Sequence, residues 1–238
     1  MASLNLLYKQ EYAINNFIKI RIPSVGEILA HEDDYYSLIF LLTAMPIDMM
    51  VQLDDAGIDF TTINEYELFL YMFAGLKTRD TSLIFGKLDL SKFEIAVNKK
   101  NGNIFLRDEK NGIDIDRVVH SRIASVLRLI HHIEVNRRKP ANQEAKEFMI
   151  KRARDKIRRC SRRTEASQLE SLIVAMVNTE QYKYDFESTK NLSIYQFNES
   201  VRQVIKKIDY DNRMYGIYTG TVNAKELNQD DLNWLIHK

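Results

Sequence analysis

The residues that could carry out chemistry are few, and their spacing does not assemble a reaction centre. Five histidines (His31, His120, His131, His132 and His237) and one cysteine, Cys160, are the soft donors of the 238-residue chain. His131 and His132 are adjacent, so on a helix they point about 100° apart and cannot grip one ion. His120 and His131 share a helical face but are separated by roughly 16 Å of rise. A zinc site wants three or four ligands at about 2 Å, and no such set is expected. Carboxylates come in runs: Glu32, Asp33 and Asp34, then Asp54 and Asp55, then Asp114 and Asp116. Acid–base hydrolysis needs two carboxyls about 5–10 Å apart across a cleft, and nothing fixes such a pair. Asp54 and Asp55 read as the polar end of a helix and Asp116 as a helix start. A Mg2+ site built from Asp114 and Asp116 is the best remaining enzyme reading. There is no phosphate-binding G-x-x-x-x-G-K-[ST] loop, no G-x-G-x-x-G and no G-x-S-x-G elbow. The expectation is a chain that is not an enzyme, with no catalytic residues, no cofactor and no metal.

The sharpest feature is a concentration of charge. Residues 137–163 hold twelve Lys/Arg against three acids, Glu144, Glu147 and Asp155, an excess of nine positive charges. With a net charge of +1 for the whole chain, the remainder carries eight net negative charges. The segment 141–163 reads as a helix with a narrow apolar seam of Met149, Ala153, Ile157 and Cys160. Lys151, Arg152, Arg154, Lys156, Arg158, Arg159, Arg162 and Arg163 occupy its other faces. Of these, Arg152, Arg154, Arg158, Arg159, Arg162 and Arg163 are the candidate partner-binding residues. In one reading the arginines neutralise phosphates of a nucleic acid, with steep salt dependence. In the other the helix docks on an acidic surface, either of this chain or of a protein partner. Only Phe148 is available for base stacking, which favours the protein reading.

The elements that would position these groups are mostly helical. Eight glycines and three prolines are too few for a turn-rich β fold. Residues 16–22 alternate as a half-buried strand ended by Pro23. Ser24 with Glu27, Thr62 with Glu65, and Ser193 with Gln196 have capping-box spacing. Helices are expected over about 33–44, from Pro46 to Gly57, over 66–73 with Gly75 as a stop, from Asp116 through Ile133, over 165–182 and over 193–218, with a short one from Asn228. The 193–218 stripe is Val201, Val204, Ile205, Ile208 and Tyr215, with Leu192 and Phe197 as a hydrophobic staple. Three short runs, 93–97, 104–107 and 113–115, are divided by Asn101-Gly102 and Asn111-Gly112, which supply hairpin turns.

The fold class expected is therefore α+β and mainly α-helical, with a small β-meander in the N-terminal half and a helical C-terminal half. The expected division is 1–116 and 117–238, the two parts packing as one body. A lone cysteine fits a reducing compartment. The first twenty residues mix Lys9, Glu11 and Lys19 with apolar residues, unlike a signal peptide. The longest apolar run near the start, residues 38–50, is broken by Pro46 and Asp48 and is too short for a bilayer. Cytoplasmic residence and no membrane partner are expected.

Several stretches carry a family likeness. FIKIRIPSVGEIL at 17–29 and DDYYSLIFLLTAMPIDMMVQLDDAGIDFTTINEYELFLYMF at 33–73 resemble tail assembly chaperones and tail- or baseplate-associated proteins of phages infecting Gram-positive bacteria. NLSIYQFNESV at 191–201 and the closing LNWLIHK resemble the same group. The resemblance implies a soluble, non-catalytic protein of phage tail assembly, acting in the host cytoplasm or carried in the virion. Its implied partner is a phage structural protein, such as the tape-measure, tail-tube or baseplate protein. The alternative is a nucleic-acid-binding protein using helix 141–163.

Overall fold

The computed structural model describes residues 5–99, 102–160, 167–223, 227 and 232–235. The chain opens with an antiparallel hairpin, β1 (Glu11–Ala13) on β2 (Lys19–Arg21). The 16–22 strand expectation thus shrinks to three residues and gains a partner strand that sequence periodicity did not show. Ser24 caps α1 (Val25–Leu29) in the expected capping box with Glu27. Helix α2 (Glu32–Thr43) follows, then a 3-10 turn at Pro46–Met49 that leads into α3 (Met50–Asp55). Gly57 ends that unit at φ 72°, the left-handed region open to glycine.

Helix α4 (Glu65–Lys77) is capped by Asn64 with Glu67, not by Thr62 with Glu65. The Thr62 hydroxyl instead bonds the Asp59 carbonyl at 2.9 Å. The helix also runs through Gly75, because Leu76 beyond it is fully buried and holds the last turn down. After α5 (Ser82–Phe85), the expected meander forms from β3 (Glu94–Val97), β4 (Ile104–Asp108) and β5 (Ile113–Ile115), in the order β3-β4-β5. Ile95 faces Leu106 and Val97 faces Ile104 across the β3–β4 pair. Leu106 and Ile115 are buried, whereas Ile95, Val97 and Ile104 on the same face are exposed. The sheet overhangs its core.

Helix α6 (Arg117–His131) is capped by Asp116 and ends where His132 turns left-handed at φ 53°. The Ile133 amide then reaches back to the Arg128 carbonyl at 2.9 Å, so Ile133 lies past the helix end. Next come α7 (Gln143–Cys160), α8 (Gln168–Val177), α9 (Phe186–Asn191) and α10 (Ile194–Tyr218). Helix α8 is shorter than the 165–182 expectation, and α9 went unexpected. Ser193 and Gln196 cap α10 as expected. The α10 stripe is covered at Val204 but leaves Ile205 and Tyr215 exposed. Asn228 lies outside the described residues, and residues 232–235 form no α-helix.

The architecture is α+β and mainly helical, with two small antiparallel sheets in the N-terminal half and helices in the C-terminal half. One large apolar cluster runs from Leu6 to Val204 and centres on α6, which packs against α2, α4, α10, β2 and β5. A second, smaller cluster joins Ala44, Ile47, Leu53, Phe60, Leu68 and Met72 to Ile150 of α7. None of the helices described is long and apolar enough to cross a membrane.

Candidate functional site

Helix α7 starts where Asn142 accepts the Ala145 amide at 2.8 Å, an N-terminal cap. It docks on α3 by its first half. Ile150 is the anchor at 6% exposure, with Met149 partly buried beside it. The apolar seam is thus centred on Ile150, which corrects the expected Met149–Ala153–Ile157–Cys160 line. Ile157 lies seven residues beyond Ile150, on the same helical stripe, yet it is 48% exposed. Among the described residues the stripe is covered at Ile150 and open at Ile157.

Two ion-pair clusters hold this half-docked helix. Lys146 Nζ lies 2.7 Å from Asp59 Oδ2. The Lys146 hydrogen bond, helped by the Thr61 side chain and amide, brings the Asp59 carboxyl down to about 2. Arg154 bonds Asp54 Oδ2 at 3.1 Å and also Asp55. The exposed Arg154 pairs contribute less than about 1 kcal/mol each, whereas burying Ile150 is worth roughly 1.5–3 kcal/mol.

The six candidate arginines therefore separate. Arg154 turns inward to α3 and its two aspartates. Arg152, Arg158 and Arg159 are exposed, with Lys151 and Lys156 beside them. Arg162 and Arg163 lie outside the described residues. Phe148, also exposed, stands one turn from Lys151 and Arg152 on the outer face.

The carboxylates and histidines that sequence singled out are placed elsewhere. Arg107 grips Asp114 with two bonds of 2.7 Å, while Asp116 accepts the Val119 amide at 2.8 Å. His120 is buried and stacked on Phe69 with ring centres 4.2 Å apart. Burial, with the Arg128 charge nearby, lowers its pKa to about 4. His131 is half-buried beside Tyr35, whose hydroxyl lies 3.1 Å from Nε2, and the loss of solvation there lowers its pKa to about 3. Among the described residues no three His, Cys, Asp or Glu groups gather as a metal site would require.

Sequence reasoning missed Arg128, and it showed Glu32 only as part of an acidic run, not in the role it plays. Arg128, on α6, is buried and reaches Glu65 Oε1 at 2.7 Å and the Thr43 carbonyl. Glu32 accepts the Leu169 amide at 2.9 Å and the Ser167 hydroxyl, capping α8 from another helix. Arg128 sits one residue from Leu127 and two from Ile130 on an otherwise apolar stripe, a signal that was available. Glu32 has no local signal.

A family model described as the YomV second domain matches residues 162–237. The match covers α8, α9 and α10 and leaves α7 outside. The family name is phage-derived. It hints at a phage protein. The 191–201 stretch that carries part of the tail-protein resemblance falls inside the matched segment, and the 17–73 stretches fall outside it. No curated protein matches, and no solved structure matches.

Proposed function

We propose that this phage-related chain is a non-catalytic, protein-binding protein of tail assembly, acting in the host cytoplasm as a chaperone or as a tail or baseplate component. The observation that carries the reading is the half-docked α7. Its inner face is spent on α3, whereas Ile157 and the surrounding Lys156, Arg158 and Arg159 are exposed. An apolar residue framed by cations suits an amphipathic, acidic helix of a structural protein. The tape-measure protein, whose apolar helices need cover before polymerisation, is the partner this reading favours.

Co-expression with the tape-measure, tail-tube and baseplate proteins of the same phage tests it. One of them should co-purify in stoichiometric amount, and Ile157→Asp with Arg159→Glu should abolish the complex without altering the helical spectrum. Failure of all three to bind would sink the reading. Phe148 beside Lys151 and Arg152 supports a second reading, in which bases stack on the ring while the cations meet phosphates. That reading requires oligonucleotide binding that weakens steeply with salt and is lost in Phe148→Ala.

A further inference from the structure

A groove of about 870 Å3 lies on the solvent face of the β1–β2 hairpin, and no α7 residue lines it. The strand register puts Glu11, Ala13, Lys19 and Arg21 on this face and turns Tyr12 and Ile20 toward the core. Both rims are fixed. Gln196 of α10 donates to the Leu7 carbonyl at 2.8 Å, tying down the segment that carries Tyr8 and Lys9. On the other side Gly86 turns at φ 62°, and a Cβ there would lie 3.6 Å from Arg21 Cδ, so the chain closes over the arginine stem before Lys87.

The charges are layered. On the floor, Lys19 pairs with Glu11, and Arg21 pairs with Glu27 at 2.8 Å. On the rims, Lys9 rests 5.5 Å from the Tyr12 ring centre, and Lys87 has no ion pair with a described residue. The groove thus has an excess of two cations, both at its edges, and exposed Tyr8 and Phe17 beside them.

We propose that this groove binds an extended acidic segment of a partner protein, with apolar side chains between its carboxylates. Alternate residues of such a strand stand about 6.6 Å apart on one side. Its carboxylates are matched to Lys9 and Lys87 and its apolar side chains to the exposed rings of Phe17 and Tyr8. A nucleic acid fits less well, because its unbroken row of phosphates would run over Glu11 and Glu27. The inference does not rest on the role given to α7.

The test is fluorescence anisotropy with three labelled probes: a peptide of alternating Glu and Val, its Lys-for-Glu counterpart, and single-stranded oligothymidine. The acidic peptide should bind and the lysine peptide should not. Lys9→Glu with Lys87→Glu should weaken binding at least about tenfold, since two attractive rim charges become repulsive. Phe17→Ala should weaken it severalfold, and Arg152→Glu with Arg159→Glu on α7 should leave it unchanged. No binding of the acidic peptide, equal binding of the lysine peptide, or tighter binding of oligothymidine that Lys9→Glu with Lys87→Glu removes would each overturn the proposal. So would loss of peptide binding only in the α7 variants. Since the groove and α7 variants are scored separately, either assignment can fail while the other stands.

Discussion

Arg128 of α6 and Arg154 of α7 both reach carboxylates near an end of an earlier helix, but in opposite surroundings. Arg128 is buried against Glu65 at the start of α4 and the Thr43 carbonyl at the end of α2, joining three helices from inside the core. Arg154 meets Asp54 and Asp55 in solvent, at the end of α3. A buried charge that loses its partner keeps its desolvation cost, whereas an exposed one returns to water. The same residue type therefore fastens the body in one place and only orients a helix in the other.

The strongest way to break this contrast is Glu65→Ala. With Arg128 left uncompensated, urea unfolding should show a loss of roughly 3 kcal/mol. A loss below about 1 kcal/mol would mean that the Thr43 carbonyl alone satisfies the guanidinium. The next effect should come from Ile150→Ala, about 2–4 kcal/mol from the lost contacts and the cavity. Ile157→Ala, on the same stripe but exposed, should cost less than about 1 kcal/mol. Equal costs at the two positions would mean that α7 is covered along its whole length.

Acid should act on the body before it acts on α7. Burial lowers His120 to about 4 and His131 to about 3, while an unfolded histidine protonates near ~6.5. Between those values the unfolded chain binds more protons, so stability is lost as pH falls below ~6.5. His120 faces Arg128 on its own helix and Tyr66 and Phe69 on α4. His120→Phe should flatten the pH slope of the unfolding free energy between ~6.5 and ~4.5, by at most about 1.4 kcal/mol per pH unit. Asp59, lowered to about 2 beside Lys146, loses its contribution only as pH falls through the range below ~4. The smallest effect belongs to Arg154→Ala, less than about 1 kcal/mol and shrinking further with added salt.

What the sequence made legible was local. Ser24 with Glu27, Asp116, and Ser193 with Gln196 cap their helices as their spacing requires. In the meander the β4–β5 turn falls at Asn111-Gly112 as expected, with Gly112 at φ 64°, whereas Asn101 lies outside the described residues. At Thr62 and Asn64 two capping patterns overlap, and the local hydrogen bond to Asp59 decides between them. Periodicity also identifies an apolar face without showing how much of it a neighbour covers. Hence Val204 is buried while Tyr215 and Tyr218 on the same helix are 72% and 81% exposed. The β1–β2 groove draws on segments from Leu7 to Gln196, and no window of sequence contains it. Its only linear trace is aromatic residues close to lysines, at Tyr8-Lys9, Phe17 with Lys19, and Phe85 with Lys87.

The overhanging meander has a practical consequence. The Asn98 amide bonds the Asn103 carbonyl at 2.8 Å, so alternation along β3 directs the peptide groups of Ile95 and Val97 outward, away from β4. Those two residues also carry the uncovered side chains, so one short margin offers both dangling amides and grease. Margins of that kind seed self-association at high protein concentration, and a single Val97→Lys change is the gentlest way to keep preparations clear.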